Sequence, residues 1–194
     1  MSGSWNDLLP TAVEVGGREY EIRSDYRAIL DICAAMNDAE LDQQEKAEIA
    51  LDIFYPAFAE MPPEDCQEAV ERCFWFIDCG DAEQDSRPAP KLVDWEQDFK
   101  YIVAPINRVT GKEIRSVEYL HWWTFLAAYY EIGDCTFAQI VRIRDKKARG
   151  KALDKADSEW YRKNRHLVDM KRDYTRRDED VLSAWMGKGK AAPG

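Results

Sequence analysis

The hydrophobic and polar positions of the chain alternate near its N-terminus and then change to a helical period. Apolar and polar residues alternate through residues 13–22, on both sides of a Gly16-Gly17 pair. Two alternating stretches joined by Gly-Gly are typical of a β-hairpin with a two-residue turn. We therefore expect a hairpin in which Val13 faces Tyr20. A lone hairpin is marginal in water, so this one should pack against helices.

Three stretches with apolar residues at helical spacing follow the hairpin. Ser24 is placed to cap the first helix, and Asp42 with Glu45 forms a capping-box pattern at the start of the second. A third helix is predicted to open at Pro62 and to end at Gly80, since proline suits a helix start and glycine a helix end.

Residues 81–91 combine charges, serine and prolines without an apolar period, which predicts a linker. After it, Asp94 is placed to cap a helix with Pro105 near its end. Ser116 is then placed to cap an aromatic helix that runs from about residue 117 to residue 131. A further helical pattern leads into a stretch dominated by charges of both signs.

These elements predict a mainly α fold: a helical domain with a small N-terminal β-hairpin and a charged C-terminal helical arm. With 194 residues, the chain is long enough for one buried core with an appended arm. We place the helical body at residues 1–144 and the charged arm at 145–186. The small, basic residues 187–194 are predicted to be a disordered tail.

The charge is divided unevenly along the chain. Residues 1–141 hold 11 Lys and Arg against 28 Asp and Glu, whereas residues 142–194 hold 16 against 9. Such a division suggests that the basic part folds back on the acidic body, docks on an acidic partner, or joins neighbouring copies. Interleaved acids in the basic part disfavour binding to nucleic acid.

His121 precedes two tryptophans, so a catalytic or stacking role is conceivable for it. We favour a partly buried structural histidine, because no serine or cysteine stands near it in a nucleophile motif. The sequence also lacks a phosphate-binding glycine loop. We therefore expect a protein that is not an enzyme and that holds no cofactor.

Two further groups invite a metal-site interpretation. Cys66 and Cys73 share a helical face, but zinc ligands are usually two to four residues apart, so a core position is the better interpretation. Asp94, Glu96 and Asp98 follow one another at a spacing of two residues, and residues at i and i+2 of a helix point to different faces, so the three do not converge on one atom. We assign these carboxylates to helix capping and solvation, and we expect no metal site.

The aromatic helix carries the main alternative. Its rings surround much of the helix, which is typical either of the centre of a core or of a surface shared with a partner. We favour the core, and keep the interface as the alternative. The partner-binding candidates are the rings of that helix and the cations that follow: Trp122, Trp123, Phe125, Tyr129, Arg142, Arg144, Lys146 and Lys147.

No apolar stretch approaches the length of a membrane span, and the first 20 residues lack the pattern of a secretion signal. The chain has five cysteines and no CxxC pair, which fits reduced thiols. We therefore expect a protein of the cytoplasm.

Four segments carry a resemblance to a known family: SDYRAILDI, VDWEQDFKYIVAPI, YLHWWTFLAAYYEIGDCTFAQIVRIRD and KADSEWYRKNR. Together they resemble the bacteriophage gene-product-fifteen family over about residues 10–165. The cluster at His121, Trp122, Trp123 and Phe125 is its most specific part. Pro105 stands where the family pattern would have a more regular helix.

The resemblance implies a phage or prophage protein encoded next to the tape measure protein of long-tailed phages. By that gene position the family is similar to tail assembly chaperones of the host cytoplasm. Implied partners are the tape measure protein, the tail tube protein and further copies of the chain. A structural tail or connector component of the virion is the alternative, and a nucleic-acid-binding phage regulator is a weaker one.

Overall fold

A computed structural model of the chain describes residues 9–80 and 90–171. It confirms a mainly helical fold with a small antiparallel hairpin at the N-terminus. The predicted linker lies largely outside the described residues, as do the tail 187–194 and the part of the charged arm after Lys171. The strands are β1 (Ala12–Val15) and β2 (Arg18–Glu21), and the helices are α1 (Tyr26–Asn37), α2 (Gln43–Phe54), α3 (Cys66–Ile77), α4 (Trp95–Thr110), α5 (Trp122–Tyr130), α6 (Thr136–Ala148), α7 (Lys155–Lys163) and α8 (Arg165–Val168).

The hairpin has the predicted register. Val13 pairs with Tyr20, and the turn residues Gly16 and Gly17 have φ of 56° and 73°. Both values lie in the left-handed region that a type I′ turn requires and that glycine adopts without a steric cost. The backbone N–H of Gly16 donates to the carboxylate of Glu68 on α3 at 2.9 Å, so the turn is fixed to a helix.

The starts of α1 and α2 show one wrong prediction and one confirmed prediction. Asp25, and not Ser24, caps α1: its side chain accepts from the backbone N–H of Arg27. Ser24 instead shares a hydrogen bond of 2.8 Å with the hydroxyl of Tyr119, because its side chain turns toward the segment before α5. Asp42 and Glu45 form the predicted capping box.

The end of α3 is a Schellman turn. The N–H of Gly80 donates to the carbonyl of Trp75, and the N–H of Cys79 donates to the carbonyl of Phe76. Gly80 therefore ends the helix as predicted. The left-handed residue that closes the turn is Cys79, with φ of 57°.

Helix α4 runs five residues beyond Pro105, further than we predicted. Proline costs an interior helical hydrogen bond, but Pro105 is buried among the core residues of α4, and this packing offsets the cost so that the helix continues. The helix ends where Gly111 takes a φ of 67°. Thr110 is thus the last helical residue and not part of the turn.

The aromatic helix α5 starts at Trp122, so the predictions of a start near residue 117 and of a Ser116 cap were wrong. The preceding segment is held in a non-helical path by long-range hydrogen bonds. Asn107 accepts from the N–H of Ile114 at 2.9 Å, and Arg27 donates to the carbonyls of Ile114 and Val117. These contacts between distant residues outweigh the local helical pattern.

One core joins the hairpin to α1 through α5 and the start of α6. At its centre the rings of Tyr26 and Phe125 stack with centroids 4.8 Å apart. Ile140, Ile143 and Val168 are also buried but lie outside that cluster. Helix α8, which carries Val168, packs on α6, and α6 packs on α4, so the C-terminal helices join the body through α6.

Candidate interaction surface

Most of the aromatic helix faces inward. Trp122 is 2% exposed and Phe125 is fully buried, so neither ring offers a surface to a partner in this fold. Tyr129 is half-buried against Trp95 and Phe137. Core packing is therefore the role of Trp122 and Phe125, and their assignment to partner binding is corrected.

The two tryptophans also complete the end of α3. The indole N–H of Trp122 donates to the carbonyl of Ile77, and that of Trp123 donates to the carbonyl of Phe76, each at 2.8 Å. The last carbonyls of a helix lack the usual helical donors and are free to accept from elsewhere. The indole of Trp122 supplies a donor to Ile77, and that of Trp123 adds a second donor to Phe76, so the α3–α5 contact is fixed by hydrogen bonds as well as by packing.

His121 has the structural role that we predicted. It is 4% exposed and caps α5: its Nδ1 accepts from the backbone N–H of Trp123 at 3.0 Å. Because Nδ1 accepts, Nε2 carries the proton and donates to the carbonyl of Pro10 at 3.0 Å. Burial lowers the pKa of His121 below its usual value, and the hydrogen bond to Pro10 opposes that shift. The neutral ring is the form that caps the helix.

One stripe of α5 is only partly covered. Trp123, Ala127 and Tyr130 follow one another at spacings of four and three residues: Trp123 is half-buried, Ala127 is exposed and Tyr130 is 76% exposed. The half-buried ring of Trp75 lies beside Trp123, with centroids 5.8 Å apart. We call Trp75, Trp123, Ala127 and Tyr130 the aromatic strip. Of the predicted ring anchors, Trp123 lies on it.

Arg144, one of the four predicted partner-binding cations, is buried where the C-terminal helices meet the body. It is 5% exposed and forms two hydrogen bonds, of 2.5 and 3.0 Å, with the carboxylate of the fully buried Asp98. Its remaining donors bind the carbonyls of Leu92, Leu167 and Val168. Both charges are thus paired and hydrogen-bonded, as buried ions require. Arg144 is not a surface residue, which corrects its predicted role.

Asp98 is the important residue that the sequence reasoning misjudged. We assigned it to solvation, yet it lies on the buried face of α4. Its spacing of four residues from Ile102, and of eight from Ile106, was the signal of that burial. A carboxylate on an apolar stripe predicts a buried cationic partner.

Beside this pair, Gln97 binds main-chain groups. Its side-chain amide donates to the carbonyl of Asp169 at 3.0 Å and accepts from the N–H of Lys171 at 2.9 Å. We call Gln97, Asp98 and Arg144 the socket, and residues 155–171 the docked segment. The socket holds the end of the docked segment mainly through backbone groups.

Asp157 fixes the other end of the docked segment. Its carboxylate is 1% exposed and accepts from Arg142, Lys146 and Gln139 on α6. The hydrogen bond from Lys146, helped by Gln139 and Arg142, lowers the pKa of Asp157 to about 2 against the opposing effect of desolvation.

Asp169 is a second carboxylate anchor. It accepts from Lys147 at 2.7 Å, from Tyr161 and from Arg165. Burial alone would raise the pKa of Asp169, but these hydrogen bonds outweigh it and lower the pKa to about 2. Three predicted partner-binding cations, Arg142, Lys146 and Lys147, therefore bind acids of the docked segment itself.

Some cations of the docked segment point outward. Lys155, Arg162 and Lys163 are exposed, and none forms an ion pair with a residue that the structure describes. The exposed Glu159 lies between Lys155 and Arg162 on α7, so these cations form a mixed-charge surface with an excess of positive charge, in contrast to the acidic body. Such a surface suits contacts with acidic polypeptide surfaces.

Within residues 9–80 and 90–171, no three His, Cys, Asp or Glu side chains are grouped so that they could hold a metal ion. An open cleft of about 540 Å³ lies between α4 and α6, with Lys100, Tyr101, Arg108 and Asp134 in its lining. In the same part of the chain, no helix has the length and apolar character needed to cross a bilayer.

The model of the family described as "Bacteriophage Gp15 protein" matches residues 5–170. No curated protein matches the chain significantly, and no solved structure does so.

The buried ion pair yields a first prediction. Asp98→Asn leaves the charge of Arg144 buried without a counter-charge, which costs roughly 3–5 kcal/mol. Undocking relieves that cost by exposing Arg144 to water, so trypsin should cut the variant within residues 155–165 at least about tenfold faster than the wild type. Mass spectrometry of the fragments measures the rate.

Asp94→Asn is the matched control, because asparagine caps a helix as well as aspartate does. It makes the same chemical change one turn earlier on α4, at a carboxylate that caps the helix. Equal cleavage rates in the two variants would show that the Asp98–Arg144 pair does not hold the docked segment.

The carboxylate anchors yield a pH prediction. The folded-state pKa of Asp157 is about 2, below its ordinary value of 3.8, so the unfolded form binds more protons between these values. The anchor's contribution is therefore complete above pH 4 and is lost as the pH falls toward 2. Amide NMR signals of residues 155–168 should move toward disordered positions in this range before those of α1 do.

Asp157→Asn is the control for this titration: the part of the transition that Asp157 contributes should be lost, while the part that Asp169 contributes remains, because the pKa of Asp169 is also about 2. The carboxyl carbon of Asp157 reports the pKa directly in the wild type. Titration near pH 3.8 would contradict the proposed anchor.

Proposed function

Because the chain belongs to the bacteriophage Gp15 protein family, we propose that this phage protein is a non-catalytic tail assembly chaperone that binds the tape measure protein in the host cytoplasm. Family membership supports a role in a phage. The surface features support binding to other polypeptides.

The aromatic strip is the observation that carries the proposal. Trp123 and Tyr130 are seven residues apart on one face of α5, which corresponds to about 10 Å along the helix. Ala127 lies between them, and its small side chain lets a second helix approach closely. Aromatic rings of this kind are the usual anchors of interfaces, and a helical client would meet them along about two turns.

The charges supply the second part of the mechanism. The outward cations Lys155, Arg162 and Lys163 suit acidic patches on a client or on another copy of the chain. Arg142, Lys146 and Lys147 already bind carboxylates of the same chain, which leaves fewer cations for phosphates. Binding to protein is therefore favoured over binding to nucleic acid.

Co-expression with the tape measure protein of the same phage tests the proposal. The wild-type chain should keep the client soluble and co-purify with it. Ala127→Glu places a charge in the centre of the aromatic strip and should reduce the recovered client about tenfold or more, which corresponds to about 1.4 kcal/mol of lost binding. Ala104→Glu is the matched control, since Ala104 is an exposed alanine within α4.

The outcomes separate the function from the surface. A client that is equally insoluble with and without the chain would reject the chaperone function. A client that is retained equally by both alanine variants would keep the function and reject the strip. Presence of the chain in purified virions, detected by mass spectrometry, would favour a structural tail or connector component instead.

A further inference from the structure

The connection between α6 and the docked segment is a short exposed turn. Gly150 closes it with φ of 65°, and the N–H groups of Gly150 and Lys151 donate to the carbonyls of Lys147 and Lys146. Arg149, Gly150, Lys151 and Ala152 are all exposed. Opening this one turn frees the docked segment without disturbing a buried side chain of the turn.

The docked segment is attached to the body by contacts that any copy of the chain could supply. Arg144 donates to the carbonyls of Leu167 and Val168, and Gln97 binds backbone groups of Asp169 and Lys171. The ion pair between Lys147 and Asp169 spans the same boundary at 2.7 Å. Nothing in these contacts distinguishes a segment of the same chain from that of a second copy.

The apolar contact between the docked segment and the body could also be supplied by a second copy. Val168 is buried against the α6 layer and stands outside the main core cluster. Withdrawal of the segment therefore leaves the main core cluster in place and exposes Val168 together with the part of α6 that α8 covers. Newly exposed apolar surface favours binding of a replacement segment.

From these contacts we infer that the socket accepts the docked segment of a second copy, so that neighbouring copies are joined by exchange of residues 155–171. Exchange of an identical element is a low-cost route to association, because it reuses contacts that already exist. The outward cations of the segment and the acidic body of the next copy favour the encounter. This inference does not depend on the identity of the client.

Concentration decides between the two arrangements. A segment tethered by a short turn has an effective concentration in the millimolar range for its own socket, so a dilute chain stays closed. Where copies are crowded together, as on a long partner molecule, the docked segment of one copy competes more equally for the socket of another. Association by exchange should therefore rise with protein concentration.

A crosslinking experiment tests the exchange without altering the socket. Copies labelled with ¹⁵N and unlabelled copies are mixed, passed through mild urea and returned to buffer at high concentration. A carbodiimide then joins Lys147 to Asp169, whose side chains form an ion pair. Crosslinked peptides with one heavy and one light partner are expected in the oligomer fraction from size-exclusion chromatography.

The turn supplies a pair of variants. Gly150→Val places a β-branched residue at a left-handed backbone position of the turn, which is strained. Opening of the turn relieves that strain, so the oligomer fraction should rise roughly five- to thirtyfold, the factor that corresponds to the cost of a left-handed non-glycine residue. Gly133→Val is the control, because Gly133 also has a positive φ and, like Gly150, has open space where a Cβ would stand. It lies between α5 and α6 and should leave the oligomer fraction unchanged.

Two results would overturn the inference. One is an oligomer fraction in which both partners of every Lys147–Asp169 crosslink carry the same isotope label. The other is a chain that stays monomeric at all concentrations and in the Gly150→Val variant. Either result would leave the chaperone proposal standing, since client binding is measured separately.

Discussion

The buried ion pair of Asp98 and Arg144 lies where the helical body meets its C-terminal helices. A paired charge at this depth is acceptable only while every donor and acceptor around it is satisfied. Arg144 meets that condition by binding the backbone at Leu92, Leu167 and Val168 as well as Asp98. The hydrogen bonds of this one guanidinium group therefore fix the path of the docked segment at Leu167 and Val168. Gln97, Asp157 and Asp169 fix other parts of the segment through further hydrogen bonds.

The uneven charge of the chain acquires a physical meaning from this arrangement. The sequence suggested that the basic part of the chain folds back on the acidic body. Several cations of α6 do pair with acids of the same chain, but most of these acids belong to the docked segment and not to the acidic body. Arg144 alone of these reaches a carboxylate on α4. In the proposed function, the cations that remain outward and the aromatic strip are the surfaces that contact other polypeptides. That function needs only such surfaces, held in place by a stable body.

Much of the fold followed from local chemistry. The Gly16-Gly17 turn, the Asp42–Glu45 capping box and the terminator at Gly80 are dictated by neighbouring residues, and each was predictable. The failures arose where distant residues decide. Arg27 and Asn107 delay the start of α5, and core packing carries α4 past Pro105. For the candidate surface, helical spacing identified the aromatic helix but not which rings face outward, because that depends on where α3 and α4 pack. The burial of Asp98 had a local signal in its spacing from Ile102, but its partner could not be identified locally, because Arg144 lies 46 residues away.

The central claim is that the docked segment is a separable unit, held by the socket and by the two carboxylate anchors Asp157 and Asp169 on a body that is already folded. Native-state hydrogen exchange in low urea tests it most directly, because it measures the free energy of opening of each amide. The account predicts that amides of residues 155–168 open together, at a lower free energy than those of α1, α4 and α5. A single opening free energy, shared by the docked segment and the core helices, would contradict it.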